Sequence, residues 1–531
     1  MTDDGSTPGS DAEPLGPVPP LTTSEALAPT APVTEATSRR GAFSGGIWSA
    51  ASAVLPMAGT LALSIVIGRR LGTDVLGEQS LVAYVASSIT HILVFSVTIA
   101  SVQLLASATG DHDVKKAAWL ARWSYHVHIA TGLLSASILL LAGLDRQDYR
   151  LLWVLAACTT LVDAVGWAHA CRNIAQQGWG PTSSRRLVAQ AVNPLLAIVA
   201  IYAGLGIDAV FAVQLVVSIV LTVALRAIDV RTNQFPPRER PAPEWRPVAR
   251  LWGMFVVSGL IVQIVERRLE LVFLDWYSDA RSVAMYSVAF SLISIPTTLL
   301  GSLIGAAMPA IAARNAREPR AVELALGRAA RVLLTLELVV VAGAVTVGPG
   351  VLVLAYGRDF VESARLVRWL GFSLLLTPLA QLYSTFWSGT GRLRPVLIAG
   401  GSAAVIDIAL AWTLIPGLGT TGAVIATISA QLVSAGVLVV YSLRSGVVVD
   451  LRWWRLVRAG LVALAAGGAA VLLQHLVAGP LGLVLSVVAF MAVLGLGSRL
   501  VGMLDHSDVE WVAGTVPGPA SRLVLALSRR G

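Results

Sequence analysis

Hydrophobic positions in this chain come in long unbroken runs instead of alternating with polar ones. A helix needs about 20 apolar residues to cross a hydrocarbon core of ~30 Å. Such runs fall at 45–68, 81–106, 117–144, 151–170, 187–203, 210–227 and 248–276. Seven more follow at 283–307, 332–354, 366–388, 396–415, 422–443, 456–477 and 481–500. The pattern predicts an all-α polytopic membrane protein of about fourteen transmembrane helices. Pro296 and Pro378 fall inside runs, where proline marks a kink tolerated by neighbouring helices.

Charge orients the runs. With Arg39 and Arg40 placed in the cytoplasm, the inward loops hold Lys115 and Lys116, Arg185 and Arg186, and the Arg226 to Arg250 stretch. They also hold Arg314, Arg317, Arg320, Arg328 and Arg331, then Arg392 and Arg394, then Arg444, Arg452, Arg455 and Arg458. This bias is the positive-inside pattern, and it puts both termini in the cytoplasm of a plasma-membrane protein. The opposite loops are short, leaving no room for an outer domain.

Composition agrees: 55% of residues are hydrophobic and 13% charged, against about 25% charged in soluble domains. The net charge of +8 is spread over many short loops, so nucleic acid is not the expected partner. Cys158 and Cys171 lie thirteen residues apart on one predicted helix, about 20 Å along its axis, too far to bridge. No metal site or cofactor is expected. Residues 1 to about 38 are rich in Pro, Ser, Thr and acidic residues, the composition of a disordered tail. Both lysines lie beside Asp113, so a Walker A motif is excluded. Asp111-His112-Asp113 has the DxD pattern of some metal-dependent transferases, but it sits in a loop of only about ten residues.

The runs repeat. Gly77-Glu78-Gln79-Ser80-Leu81-Val82 matches Ala284-Met285-Tyr286-Ser287-Val288-Ala289 at an offset of 207, and Leu205 to Val210 matches Leu418 to Ala423 at 213. Six helices are an even number, so the copies share one orientation and form a parallel pseudo-repeat. The expected organisation is a tail at 1–40, an N-lobe of helices 1–6 at 41–228 and a cytoplasmic linker at 229–247. A C-lobe of helices 7–12 at 248–445, two extra helices at 446–500 and a cytoplasmic tail at 501–531 follow.

Several segments carry a family resemblance. Arg70 to Gly77 resembles the LGxxxxG turn of polysaccharide-exporter flippases, the oligosaccharide-flippase branch of the multidrug/oligosaccharidyl-lipid/polysaccharide (MOP) exporter superfamily. Val283 to Ala289, Pro309, Tyr356-Gly357-Arg358-Asp359-Phe360, Gly389-Thr390-Gly391-Arg392 and Ile415 to Thr427 resemble further elements of that family, in order. Ala284 departs from the usual glycine. The resemblance implies two lobes around a cavity that opens alternately to either side. It also implies a polyprenyl-diphosphate-linked oligosaccharide as substrate, with a polymerase or glycosyltransferase as partner, in contact with membrane lipid.

A glycan diphosphate cannot enter hydrocarbon unaided, because unpaired hydroxyls and phosphates are too costly to desolvate. A flippase therefore needs polar or cationic groups inside its spans, where they are rare and face cavities. Glu266, Arg267, Arg268 and Glu270 lie about two-thirds along helix 7. Arg267 and Arg268 are candidate diphosphate ligands, one of them held by Glu270, with a structural salt bridge between lobes as the alternative. Arg69 and Arg70, at the outer end of helix 1, are a candidate cationic rim or simply snorkel to the interface. Asp407, Glu337 and Asp163 are ion-coupling candidates, Asp407 first because it lies mid-span without a basic neighbour. His91, His126, His128, His169 and Arg172 read as packing groups. The expected function is flipping, with no catalysis. A lipid II flippase and a multidrug/cation antiporter are the near alternatives. An integral membrane glycan-assembly enzyme or scaffold is the distant one.

Overall fold

The computed structural model describes residues 56–111, 113–176, 178–232, 245–266, 268–305, 319–447 and 451–503. The tail at 1–40, Arg267, Pro309, residues 233–244 of the linker and residues 504–531 lie outside them. The described residues contain helices and no strand. The segment expected as the first lobe comprises α1 (56–70), α2 (Thr73–Gly110), α3 (Val114–Ala142), α4 (Arg150–Ala175), α5 (Trp179–Tyr202) and α6 (Gly206–Thr232). The second begins with α7 (Trp245–Glu266), α8 (Glu270–Tyr277), α9 (Ala280–Gly305), α10 (Pro319–Thr346) and α11 (Gly348–Tyr356). It continues through α12 (Val361–Ser373), α13 (Thr377–Gly389), α14 (Arg394–Leu418) and α15 (Thr420–Arg444). The two extra helices are α16 (Trp453–Leu476) and α17 (Pro480–Val501).

Eleven described helices are long and apolar enough to cross a membrane, and α12 with α13, bent by 43°, makes a twelfth. The other two expected spans have particular histories. The first is described only from residue 56. The seventh, expected as one run over 248–276, is divided into α7 and α8. The break falls in the charged stretch that contains Glu266, Arg268 and Glu270. Non-helical backbone at membrane depth is tolerated where protein or a wet cavity surrounds it. Pro378 follows the bend between α12 and α13, as expected, whereas Pro296 sits inside a continuous α9.

The two ends of the bundle pack differently. At the end with few arginines, one apolar cluster crosses both lobes: Ile67, Leu76, Val82 and Trp153 from the first, Leu274, Tyr286, Phe360 and Val424 from the second. At the arginine-rich end there are two separate clusters. One holds Leu105, Leu120, Cys171 and Val248, the other Leu326, Phe386, Trp387 and Leu438. Val248 belongs to α7, so this helix packs its start on the first lobe, while α8 packs on the second. A π turn at Thr90–Phe95 interrupts α2, and Ser96 just after it donates to the Phe255 carbonyl of α7 at 3.1 Å.

Candidate functional site

Three polar groupings stand out among the described residues. The first is the break itself. Arg268 Nη1 donates to Ser287 Oγ of α9 at 2.9 Å, and its guanidinium stands over the Phe290 ring at 5.2 Å. Arg268 is half-buried, and these contacts tie it to α9. Its expected neighbour Glu270 turns elsewhere.

Glu270 opens α8 and points to α14 and α15. Thr427 Oγ1 donates to Glu270 Oε1, the Tyr286 hydroxyl lies 2.7 Å from Thr427 Oγ1, and the Glu270 and Asp407 carboxyl groups meet. Both acids are 2% exposed. Glu270 Oε2 and Asp407 Oδ1 are buried with no hydrogen-bond partner among the described residues. Four helices build this pocket: α8, α9, α14 and α15. Two carboxyl groups in contact repel when both are charged, and a cation between them removes the repulsion. The oxygen-only donor set suits a hard cation or a proton.

The second grouping closes the low-arginine end. Arg146, between α3 and α4, bridges Glu78 of α2 at 3.1 Å and Asp275 of α8. Trp153 Nε1 donates to the other oxygen of Glu78 at 2.9 Å. Glu78 is thus fully paired although 2% exposed, and Arg146 links the lobes. Asp275 draws the Arg146 guanidinium into a charge-assisted hydrogen bond that pushes its pKa further up. Beside this bridge, α2 and the start of α9 meet backbone to backbone: a Cβ on Gly77 would lie 1.8 Å from the Ala280 carbonyl oxygen. Arg69 reaches from the end of α1 to the last carbonyls of α11, donating from Nε to Ala355 at 2.6 Å and from Nη2 to Leu354. A guanidinium there satisfies orphan carbonyls and the negative end of the helix dipole. Arg70 lies over the Tyr202 ring of α5 at 4.8 Å. The two arginines expected as one rim therefore diverge, one to each lobe.

The third grouping lies inside the first lobe. Ser218 donates to Asp163 at 2.7 Å, and Arg186, charged and nearby, stacks on Trp167 at 3.3 Å. Towards the arginine-rich end, Asp229 accepts from His169 at 2.6 Å and from Arg172 at 3.2 Å. Neither set contacts the acid pocket. Glu337 in α10 is fully buried, and neither of its oxygens has a hydrogen-bond partner among the described residues. The structure brings Glu270 and Asp407 together but not Glu337 or Asp163. Tyr286 and Thr427 lay unremarked within the quoted motifs. Glu78 lies within the quoted repeat without a role, and Arg146 and Asp275 are not among the sequence candidates. Arg146 broke the inward bias of arginine just as Arg69 and Arg70 did, and that exception was its signal. Cys158 is exposed and Cys171 buried, both free.

Residues 111–365 match the model of a family described as polysaccharide biosynthesis protein. No curated protein sequence matches the chain significantly. Among solved structures it resembles the lipid II flippase MurJ in an inward closed conformation, with a TM-score of 0.70 at 12% identity over 86% of this chain and 98% of that one. It resembles an inward-facing multidrug resistance MATE family transporter of the MOP superfamily, with a TM-score of 0.58 at 19% identity over 74% of this chain and 98% of that one. A MOP superfamily transporter from Pyrococcus furiosus Vc1 gives 0.51 at 17% identity, over 76% and 96%. At such identities the structural likeness speaks for the fold, and the matched segment adds the family character. The chain is a multi-pass membrane protein whose fold is that of the MurJ flippase and a MOP superfamily transporter, and its residues 111–365 carry the polysaccharide biosynthesis family pattern.

Proposed function

We propose that this protein is a flippase for a polyprenyl-diphosphate-linked oligosaccharide, working by alternating access with its arginine-rich end in the cytoplasm of a bacterial cell. One observation carries the reading: the lobes share a single apolar cluster and an ionic bridge at one end, and pack as two separate clusters at the other. A helix broken at charged residues runs between them. Substrate enters from the arginine-rich side. Arg268, with Arg267 beside it in sequence, meets the diphosphate, while the prenyl chain stays in lipid. Release to the other side requires parting Arg146 from Asp275 and Gly77 from Ala280.

The Glu270–Asp407 pocket supports cation coupling. It joins α8 to α14 and α15 within the second lobe, and α8 is also the helix that Arg146 grips. Occupancy of the pocket and closure of the seam therefore act on one short helix. Asp407 is the coupling residue favoured by this geometry, with Glu270 as its partner.

The test uses protein reconstituted in liposomes with a fluorescent polyprenyl-diphosphate disaccharide and an impermeant quencher. Flippase activity moves the probe out of the protected leaflet, and Arg268→Ala loses that movement. No protein-dependent movement, or full activity in Arg268→Ala, contradicts the reading. A muropeptide-bearing probe in parallel separates a lipid II flippase from a flippase for other glycans.

A further inference from the structure

The two extra helices stand apart from the transport machinery and pack on α10 and α11. Along their seam runs a groove of about 310 Å³, lined by Arg458, Val462, Ala465, Val493, Gly497 and Val501 among others. These positions recur every three or four residues, so each helix presents one face to it. Gly497 sets the approach: a Cβ there would lie 2.5 Å from Val462 Cγ1. The walls are apolar except at one end, where Arg458 stands.

Arg458 lies five residues after the start of α16, about 8 Å along the axis, from where a long arginine side chain reaches the headgroups by snorkelling. Its guanidinium faces Trp454 at 5.2 Å, and its contact to the Val501 carbonyl is a long 3.5 Å. Most of its five donors are thus unclaimed by protein among the described residues. Trp453 and Trp454 are 70% and 65% exposed. Arg452 takes a left-handed backbone at φ 46°, unique among described non-glycine residues, and caps the helix start. Indoles at a helix end mark the membrane interface, and arginines clustered there attract anionic headgroups.

We infer that this seam binds one anionic phospholipid from the leaflet at the arginine-rich end. The acyl chain lies in the groove and the phosphodiester sits on Arg458, where a guanidinium makes a bidentate match to phosphate oxygens. The site is independent of the transport reading. A phospholipid fits the features better than a substrate tail does: the groove is on the pair of helices outside both lobes, and its cation is within snorkelling reach of the headgroups.

The experiment is native mass spectrometry of the full-length protein, delipidated and titrated with phosphatidylglycerol, phosphatidylcholine or decaprenyl phosphate. Wild type is expected to retain one phosphatidylglycerol that phosphatidylcholine does not replace. Arg458→Gln weakens it about tenfold, Arg458→Lys recovers part of the loss, and Ala465→Phe fills the groove and removes binding. Equal retention of both phospholipids, or unchanged binding in both Arg458→Gln and Ala465→Phe, overturns the assignment. So does displacement by decaprenyl phosphate at lower concentration with the same dependence on Arg458, which gives the groove to a prenyl chain.

Discussion

The two ends of the bundle use charge in opposite ways. At the low-arginine end, basic residues are fewer, and two of them make defined contacts across the seam. Arg146 serves Glu78 and Asp275, and Arg69 serves the last carbonyls of α11. At the arginine-rich end, charges are many and the apolar packing divides between lobes. Numerous arginines at one end are the kind of bias that orients helices on insertion. A few paired ones join the lobes. A count of basic residues reads the first role and is blind to the second.

If the low-arginine seam is a closing contact, its damage should rank by how completely each change prevents closure. Gly77→Leu has the largest expected effect. Its side chain starts 1.8 Å from the Ala280 carbonyl oxygen, so the backbones cannot meet. Translocation should fall more than a hundredfold, about 3 kcal/mol or more, with protein still in the membrane, as read in the liposome assay. Retained activity would mean that α2 and α9 need not touch.

Asp407→Asn comes next. Losing one of two facing carboxyl groups should lower ion-driven transport at least tenfold and leave probe binding in place, as measured with and without a proton or sodium gradient. Glu337→Gln should change transport less than twofold, since Glu337 lies outside the pocket. The opposite ranking would move coupling to α10.

Arg146→Ala leaves Glu78 with Trp153 alone. Breaking a buried pair costs about 3–5 kcal/mol, and the exposure of Arg146 reduces that to about 2 kcal/mol here. Closure should weaken roughly thirtyfold. Ala284→Cys, fully buried at the seam, reports this in a Cys158→Ser background as faster labelling by an impermeant maleimide. Unchanged labelling would make the bridge incidental.

A local effect on stability is expected at Asp279, which caps α9 by accepting from the Ser282 amide at 2.7 Å. That bond and the Ser282 side chain hold its carboxyl below the ordinary carboxylate range. Its stabilisation is therefore complete above the unfolded carboxylate pKa and lost as pH falls through the lowered folded value. Asp279→Ala should lower thermal stability by about 1 kcal/mol at pH 7. The difference from wild type should close on strong acidification.

Much of the fold was legible because lipid demands long apolar runs, and few other structures produce them. The breaks were less so. Hydrophobicity runs smoothly past Val347 and through α8, and only the cluster at 266–270 hinted at a division. Asp407 stood out as a charge without a basic neighbour, and it meets Glu270, itself singled out as an arginine's partner. Sequence spacing matches Glu270 to arginines in its own turn, whereas its described partner is Thr427, 157 residues on. Arg69 was recognised by its exceptional position, but its carbonyl partners lie 285 and 286 residues away. Tertiary pairing of this kind leaves no local pattern.

The central claim is that the low-arginine seam opens when substrate crosses. Spin labels at Asp74→Cys and Arg281→Cys, both exposed positions flanking the Gly77–Ala280 contact, measure it in lipid nanodiscs by pulsed dipolar spectroscopy. The account predicts one short distance without substrate and a second, longer population when a short-chain prenyl-diphosphate disaccharide is added. A single unchanged distance in protein that translocates the same probe would contradict it.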